Sequence, residues 1–521
     1  MREKTYPWMS GYMYTIIVNS MRIHTDTASG EISSDMTDDI LQEETMEKEL
    51  NTHKQDGRDP AEPPHTPRWT KLSSKTNLLE MEAYHYEVQD VPNPNLFREF
   101  FEYTEIPKVG FNFRTSPYGM PDEVVITDST FRDGQQSREP YTTKQIVEIF
   151  KMMSRLSGPN GIIRQTEFFT YSDRDKAAIR ACQDLGLEFP QITTWIRAKK
   201  EDFRIVKEMG VKETGILTSC SDYHIFYKLG MSRRQAMDHY LSVVHDAFEA
   251  GITPRCHLED ITRADFYGFV VPFVTAVQEM ASQAGMPAKI RLCDTMGYGV
   301  PYPGVALPRS VAGIIYGLHQ YAGVPSECLE WHGHNDFYKA VANAATAWLY
   351  GCGAVNTTLF GIGERTGNIP LEAMVFEYAQ LRGTLDGMDT TVITELARYY
   401  EKQVGYTMPP QTPFAGENFN VTRAGIHADG LLKNEEIYNI FDTGKFLGRP
   451  PLVNINQNSG AAGIAHWINS SYGLKGDKQV DKHSGVVAYI KDWIDSEYAS
   501  GRVAEIGGSE IRSKINEYMT E

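Results

Sequence analysis

The sequence predicts an α/β fold, because short apolar segments alternate with helix-like stretches through the middle of the chain. Eight such segments occur between residues 124 and 363. Eight strand–helix units are the number that closes a (β/α)8 TIM barrel. The strand rhythm stops after about residue 383, and the remainder of the chain reads as helices and loops. We therefore expect a TIM barrel followed by a helical C-terminal subdomain.

The predicted strands have the length of strands that are buried in a parallel sheet. They are Val124–Thr130, Ile162–Phe169, Phe189–Ile196, Glu213–Ser219, Pro254–Asp260, Ile290–Thr295, Leu329–Asp336 and Ala354–Gly363. Stretches with apolar residues at helical spacing separate them, for example Lys144–Ser157, Ser232–Ala250, Arg263–Ala284, Arg309–Tyr321 and Lys339–Tyr350. An open doubly wound sheet is the alternative. Such a sheet usually opens on a glycine-rich phosphate loop, whereas the first strand here runs into TDSTFRDG.

Composition separates the flanking regions from the barrel. Residues 25–74 are rich in Asp, Glu, Thr, Ser and Pro and poor in apolar residues, so they cannot bury enough surface to offset their ordering entropy. The predicted order is a disordered extension (1–80), a lead-in segment (81–121), the catalytic barrel (122–383) and the helical subdomain (384–521). In that subdomain, Thr391–Gln403 and Val486–Ser500 read as helices.

Charge and cysteine usage exclude several classes of protein. The net charge of −17 argues against a nucleic-acid binder, because phosphate backbones require basic patches. None of the six cysteines forms a C-x-x-C pair, which favours reduced core thiols in a cytoplasmic protein. No apolar run reaches the roughly 18 residues that a membrane span needs. We expect small-molecule partners, with no nucleic acid and no membrane.

In a TIM barrel the catalytic groups lie at the carboxyl ends of the strands. Here those ends carry Arg132 and Asp133, then His257, Glu259 and Asp260, then Asp294 and Thr295, then His332 and His334, and finally Glu364, Arg365 and Asn368.

The pair His332 and His334 is the most specific of these signals. Residues i and i+2 of a strand point to the same face, so both imidazoles can enter one site. With Asp133 as a carboxylate they would suit a divalent metal. Two satisfied core histidines are the alternative. Arg132 would place a cation beside that metal, where it could stabilise an enolate or alkoxide oxygen, unless it forms only a surface ion pair.

Several motifs resemble one family. ITDSTFRDGQQS (Ile126–Ser137), LEWHGHND, GIGERTGN (Gly361–Asn368) and AGIHADG (Ala424–Gly430) are similar to the 2-isopropylmalate synthase and homocitrate synthase family, the DRE-TIM metallolyases, although the first motif reads Phe-Arg-Asp here. The resemblance runs from about Tyr103 to Leu474. Between the motifs, GPNGIIRQTEFF, TRADFYGF, RLCDTMGYGVPYPG and GLLKNEEIYNIFDT resemble the Re-specific citrate synthase branch.

The resemblance implies a role for each matching residue. A divalent metal (Mn, Mg or Co) would be held by Asp133, His332 and His334, with Asn368 close to it. Arg132, Glu259, His427 and Tyr438 would be catalytic, with His427 in the base relay and Glu259 as a competing base. Gln136, Arg255 and Thr295 would bind the oxo acid, and His257 stands where homocitrate enzymes carry serine. Arg164, Arg255 and His257 would supply cations or donors to a second substrate carboxylate.

The resemblance also implies a reaction, the metal-dependent condensation of the co-substrate acetyl-CoA with a 2-oxo acid. Oxaloacetate, giving citrate and CoA, is the expected acid. Formation of 2-isopropylmalate or homocitrate is the alternative, and lyase or hydrolase chemistry on the same barrel is a more distant one. The family's subdomain residues often act on the partner chain, so we expect a homodimer or a higher homo-oligomer.

Overall fold

The computed structural model describes residues 86–422, 425–457, 459–504 and 506–520, together with two short strands, Thr70–Leu72 and Leu79–Met81. These two strands pair antiparallel and lie in a unit, Met1–Ala83, that is separate from the unit Tyr84–Glu521. The rest of the predicted extension lies outside the described residues.

Eight parallel strands close into a barrel within the larger unit. In chain order they are β1 (Val125–Asp128), β2 (Ile163–Phe168), β3 (Gln191–Ile196), β4 (Glu213–Ser219), β5 (Thr253–Glu259), β6 (Lys289–Asp294), β7 (Leu329–Gly333) and β8 (Ala354–Thr357). Each strand pairs with its neighbours in sequence, and β8 returns to pair with β1. The prediction of a TIM barrel is confirmed, and all eight predicted strands are present.

Helices follow the strands and cover the barrel. They are α1 (Thr143–Ser157), α2 (Asp173–Gln183), α3 (Phe203–Glu208), α4 (Arg233–Glu249), α5 (Val271–Ala284), α6 (Val311–Ala322), α7 (Ala340–Leu349) and α8 (Leu371–Arg382). Helix α1 shows why these segments fold as they do. The Thr142 hydroxyl and the Gln145 side chain cap each other's backbone, and Ile149 and Met153 of the apolar stripe are buried.

The barrel interior is charged rather than aliphatic. Along β5, Cys256 and Leu258 are buried against the helices, whereas the alternate residues Arg255 and His257 contact side chains inside the barrel. Strand alternation therefore presents one apolar face outward and one polar face inward. The six cysteines are free and buried, as predicted.

The chain after the barrel is helical in the part that the structure describes. Its helices are α9 (Val392–Tyr399), α10 (Gly425–Lys433), α11 (Thr443–Leu447), α12 (Ala461–Tyr472), α13 (Gly485–Ala499) and α14 (Gly508–Thr520). The last three pack around a core of their own, which includes Ile464, Ile490 and Ile511. Short strands Val421–Thr422 and Leu452–Val453 pair beside them. No described helix has both the length and the hydropathy that crossing a bilayer requires.

Candidate active site

Three side chains predicted as metal ligands converge at the carboxyl ends of the strands. The ligand atoms of Asp133, His332 and His334 all lie within 4.8 Å of one another, and the three residues are buried. Nε2 of His332 lies 3.4 Å from Oδ2 of Asp133, and Nε2 of His334 lies 4.0 Å from the same oxygen. Asp133 comes from the turn after β1, and the histidines from β7 and the residue just beyond it. The fold therefore brings together two elements that are about 200 residues apart in sequence.

A hydrogen bond fixes the tautomer of His332. Its Nδ1 lies 2.8 Å from Oδ1 of Asn356, which also accepts a bond from the Ser129 hydroxyl. The Asn356 amide nitrogen donates to Thr127, so its oxygen is the atom that faces the ring. Nδ1 of His332 must then carry the proton, and the lone pair of Nε2 faces Asp133. Such an outer hydrogen bond is typical of a metal-binding histidine.

Two buried polar atoms at the cluster have no hydrogen-bond partner among the residues that the structure describes. They are Nδ1 of His334 and Oδ1 of Asn368. The amide nitrogen of Asn368 donates to Oδ2 of Asp133 at 2.5 Å. Buried polar atoms without a partner cost free energy, so a group that supplies one is expected. Two imidazoles, a carboxylate and a nearby amide fit a divalent cation.

The electrostatics favour the metal-binding protonation states. Burial lowers the pKa of His332 to about 4 and also lowers that of His334, so both rings are neutral near pH 7. Burial alone would raise the pKa of Asp133. Arg132 and the two histidines more than offset it, and the pKa lies well below its usual range. A carboxylate and two neutral imidazoles are the forms that bind metal.

Arg132 is held between two carboxylates rather than in a surface ion pair. Nη1 lies 2.8 Å from Asp133, and Nε lies 2.6 Å from Glu167, which is fully buried on β2. The residue is 8% exposed. The guanidinium is thus held beside the proposed ligands, and its role in stabilising an oxyanion stays a prediction.

Glu167 is a residue of the candidate site that the sequence analysis did not predict. Besides Arg132 it contacts Arg255 at 2.8 Å and Arg291 at 3.1 Å. Burial works to raise its pKa, but Arg291, Arg132 and Arg255 more than offset this and lower the pKa to about 2. Arg291 and Arg255 also face Glu330, which accepts a bond from the Thr127 hydroxyl. A buried ion network therefore underlies the cluster and anchors Arg132.

Two residues predicted to bind substrate contribute to this network instead. Arg255 is 1% exposed and also donates to Gln165 and Thr193, so its guanidinium is occupied by partners within the barrel. Nε2 of His257 lies 3.5 Å from Glu167 and has no hydrogen-bond partner among the described residues. Burial, and then the nearby arginines, hold the pKa of His257 far below its usual value, so the ring is neutral.

The structure does not bring Arg164 or Gln136 into contact with the cluster. Arg164 is the second residue of β2, and its Nη2 lies 2.6 Å from Glu123, at the end of the barrel where strands begin. Its neighbours Gln165 and Glu167 contact inward-facing residues, so strand alternation assigns Arg164 to the other face. Arg164 therefore does not lie at the predicted site, because its side chain points to the face of β2 opposite to that of Gln165 and Glu167. Gln136 is exposed.

Glu259 and Thr295 lie at the carboxyl end, as expected. Glu259 ends β5 and contacts Ser219, His224 and Lys228. The Thr295 hydroxyl accepts a bond from the Asp260 backbone at 2.9 Å. The Thr295 carbonyl accepts one from Arg365, which also pairs with Asp336.

His427 and Tyr438 lie in the helical subdomain. Their ring centroids are 4.3 Å apart, and both side chains are exposed. No contact between them and the buried cluster is found among the described residues of this single chain. Their assignment as catalytic residues stays a prediction.

Comparison with known proteins adds independent information. The HMGL-like family profile matches residues 123–399. Over 439 residues the chain is 56% identical to the citrate (Re)-synthase of Clostridium kluyveri, covering 84% of this chain and 97% of that protein. It is 55% identical to the citrate (Re)-synthase of Syntrophus aciditrophicus over 454 residues, covering 87% and 72%. Identity to the 2-phosphinomethylmalate synthase of Streptomyces hygroscopicus is 37% over 442 residues, covering 83% and 99%.

Proposed function

The chain belongs to the HMGL-like family, and from this membership we propose that it is an acyltransferase that condenses acetyl-CoA with oxaloacetate to give citrate. The observation that carries the proposal is its identity of 55–56% to two citrate (Re)-synthases. In balanced form, acetyl-CoA, oxaloacetate and water give citrate, CoA and a proton. The new carbon–carbon bond joins the acetyl methyl carbon to the keto carbon, and water cleaves the thioester.

Asp133, His332 and His334 would hold a divalent cation, with Asn368 orienting the carboxylate and Asn356 orienting the His332 ring. When bound, such a cation acts as a Lewis acid on the keto carbonyl of the oxo acid. We expect Mn, Mg or Co in this role. The support is the convergence of ligand atoms and the orphaned atoms of His334 and Asn368.

Arg132 would stabilise the negative charge that develops on the keto oxygen during attack. Its guanidinium is already fixed by Asp133 and Glu167, so little reorganisation is needed when the charge appears. The ion network below it makes this placement rigid. Glu167 is therefore proposed as a residue that orients Arg132.

The choice of oxaloacetate rests on the two relatives rather than on the arginines of the barrel. Arg164 lies at the other end of β2, and Arg255 is occupied by Glu167 and Glu213. A panel of 2-oxo acids tests the choice through CoA release. Oxaloacetate should be used best, and a clear preference for 2-oxoisovalerate or 2-oxoglutarate would contradict the proposal.

We also propose attack on the Re face of oxaloacetate, because both relatives are Re-synthases. Acetyl-CoA labelled in the acetyl group should then place its carbons in the pro-R arm of citrate. Label in the pro-S arm would contradict this stereochemistry while leaving the metal site unaffected.

His427 is proposed as part of the base relay, acting from a second copy of the chain. The support is the AGIHADG motif together with the exposure of His427 and Tyr438 in the single chain. His427→Ala and Asp133→Ala should each lose activity alone. If the relay acts between copies, mixed oligomers of the two variants should regain part of it. If mixtures that are shown to exchange subunits recover no activity, the proposal is contradicted. Either His427 and Asp133 then act in a site formed by one chain, or His427 is not part of the base relay.

A further inference from the structure

Glu259 lies in the same layer of the barrel as the proposed metal ligand His332. The strand register pairs Ser219 with Glu259, Glu259 with Cys293, and Cys293 with His332. Neighbouring strands are about 4.8 Å apart, so the backbones of Glu259 and His332 are about 10 Å apart. The carboxylate is 18% exposed and belongs to the last residue of β5, so it stands at the rim of the carboxyl end of the barrel, where the candidate site lies.

Three donors converge on this carboxylate. Nζ of Lys228 lies 2.9 Å from Oε2 and 3.1 Å from Oε1, Nδ1 of His224 lies 3.0 Å from Oε2, and the Ser219 hydroxyl donates to Oε2. His224 and Lys228 come from one π-helical turn, Tyr223–Lys228, which follows β4. A π-helical turn is rare and is often found at functional sites.

The turn is braced from outside the barrel. Asp222, which precedes it and is 1% exposed, accepts two bonds from Arg233 and one from the backbone of Asn95. The Tyr223 hydroxyl donates to the Leu96 carbonyl at 2.8 Å. The lead-in segment therefore fixes the turn, and the turn fixes the position of the two donors.

We propose that Lys228 and His224 are positioning residues of the condensation, and that they hold the Glu259 carboxylate as a fixed negative charge at the rim of the site. This inference rests on the proposed function. Nothing in the barrel fold itself needs the contact, because Lys228 is about half exposed and joins two segments that the sheet already connects.

The same contacts also make the Glu259 carboxylate a poor proton acceptor. Burial works to raise its pKa, but His224, Ser219 and Lys228 more than offset it and lower the pKa to about 2. A carboxylate with so low a pKa is a poor general base near pH 7. A fixed anion can instead orient a neighbouring base and stabilise it once it has taken up the proton. Glu259 thus acts through its negative charge, and a group other than Glu259 accepts the proton from the acetyl methyl.

The other charges near Glu259 are already compensated. Asp260 follows it with a backbone φ of 68° and pairs with Arg263 at 2.9 Å. Nε2 of His224 lies 3.7 Å from Asp260. Cys220 and Cys293 are the nearby thiols, and burial raises the pKa of both, so they are neutral. Lys228 is therefore the cation that balances Glu259.

A double-mutant cycle tests the proposal. Lys228→Met should lower kcat by about 10- to 100-fold with little change in KM for the oxo acid, as expected for loss of a supporting partner. Lys228→Arg keeps a donor and should retain most of kcat. In a Glu259→Gln background, Lys228→Met should have little further effect, because its partner charge is already gone. Lys207→Met, at an exposed lysine of α3, is the matched control.

Three results would overturn the proposal, and a fourth would separate it from the proposed function. Lys228→Met behaving like Lys207→Met would overturn it, as would effects of Lys228→Met and Glu259→Gln that multiply independently. Crystal structures of Lys228→Met and His224→Gln give a readout that needs no turnover. The Glu259 carboxylate should leave its position in both, and an unmoved carboxylate would overturn the proposal. If the parent releases no CoA with any oxo acid, the proposed function fails, and these structures alone decide the positioning role.

Discussion

At the end of the barrel where strands begin, Arg164 pairs with Glu123 and Lys289 pairs with Glu213 around a cavity of about 310 Å³. At the end where strands finish, the imidazoles of His332 and His334 converge on the Asp133 carboxylate. There, Nδ1 of His334 and Oδ1 of Asn368 have no hydrogen-bond partner in the part of the chain that the structure describes. Both ends are polar, but the charged groups at the first end form cation–carboxylate pairs. The convergence of two imidazoles on one carboxylate, rather than charge itself, distinguishes the candidate active site.

The largest effect should come from removing a ligand at the carboxyl end. Asp133→Ala or His332→Ala should lower CoA release by more than about 100-fold, since even partners outside a metal site often cost 10- to 100-fold. Both variants should fold, because catalytic groups at strand ends do not form the core of a barrel. Circular dichroism and a CoA-release assay measure the two properties.

The matched control lies at the opposite end. Glu123→Ala removes the partner of Arg164, whose exposed pair contributes little to stability. Its turnover should stay close to that of the parent. A large loss of turnover with Glu123→Ala would contradict the proposed difference in catalytic importance between the two ends of the barrel. Turnover within a few-fold of the parent with Asp133→Ala would contradict it as well.

A second variant tests the ion network beneath the cluster. Glu167→Gln keeps the shape but leaves three buried arginines with less compensation, so it should lower stability by about 3 kcal/mol. It should also lower kcat, because Arg132 loses one of its two anchors. Urea denaturation measures the change in the free energy of unfolding. Glu395→Gln, which breaks a half-exposed pair with Arg155, should change stability by less than about 1 kcal/mol.

A buried carboxyl group without a cation should behave in the opposite way to Glu167. Glu372 on α8 is 3% exposed, and burial raises its pKa from 4.5 to about 7. A raised pKa stabilises the folded protein below pH 4.5, and this stability is lost as the pH rises towards 7. Glu372→Gln stays neutral and can still accept the bond from the Phe360 backbone. At pH 8 it should be more stable than the parent by about 1–3 kcal/mol.

Thermal denaturation of parent and variant at pH 4.5 and pH 8 measures this difference. The advantage of Glu372→Gln should vanish at the lower pH, where the parent's carboxyl group is neutral as well. An advantage of the same size at both values would mean that protonation of Glu372 does not explain the effect.

The convergence of the three candidate metal ligands could be predicted from the sequence for a simple geometric reason. His332 and His334 are two residues apart on a strand, and Asp133 directly follows another strand of the same parallel barrel. Strand periodicity and the common direction of the strands are enough to place such residues together. The alternation of short apolar segments with helix-like stretches predicted the eight strands, and the end of that alternation after about residue 383 predicted the helical subdomain.

The positions of Glu167 and Arg164 were not predicted correctly from the sequence. Glu167 lies within β2, so the rule that catalytic groups follow the strand ends does not predict it or the network inside the barrel. Arg164 has the wrong parity and lies at the start of the strand, which only the exact strand register reveals. The sequence did contain one usable signal. Polar residues at alternating positions of a buried strand, Gln165 with Glu167 and Arg255 with His257, indicate a polar barrel interior.

The central claim is that turnover depends on a divalent cation held by Asp133, His332 and His334. The most direct measurement strips the protein of metal with a chelator, confirms zero metal content by elemental analysis, and follows CoA release from acetyl-CoA and oxaloacetate as Mn or Co is added back. The stripped protein should be inactive, and activity should return as about one equivalent binds. Asp133→Ala should neither bind the metal with comparable affinity nor recover. Full activity of the parent at zero metal content would contradict the claim.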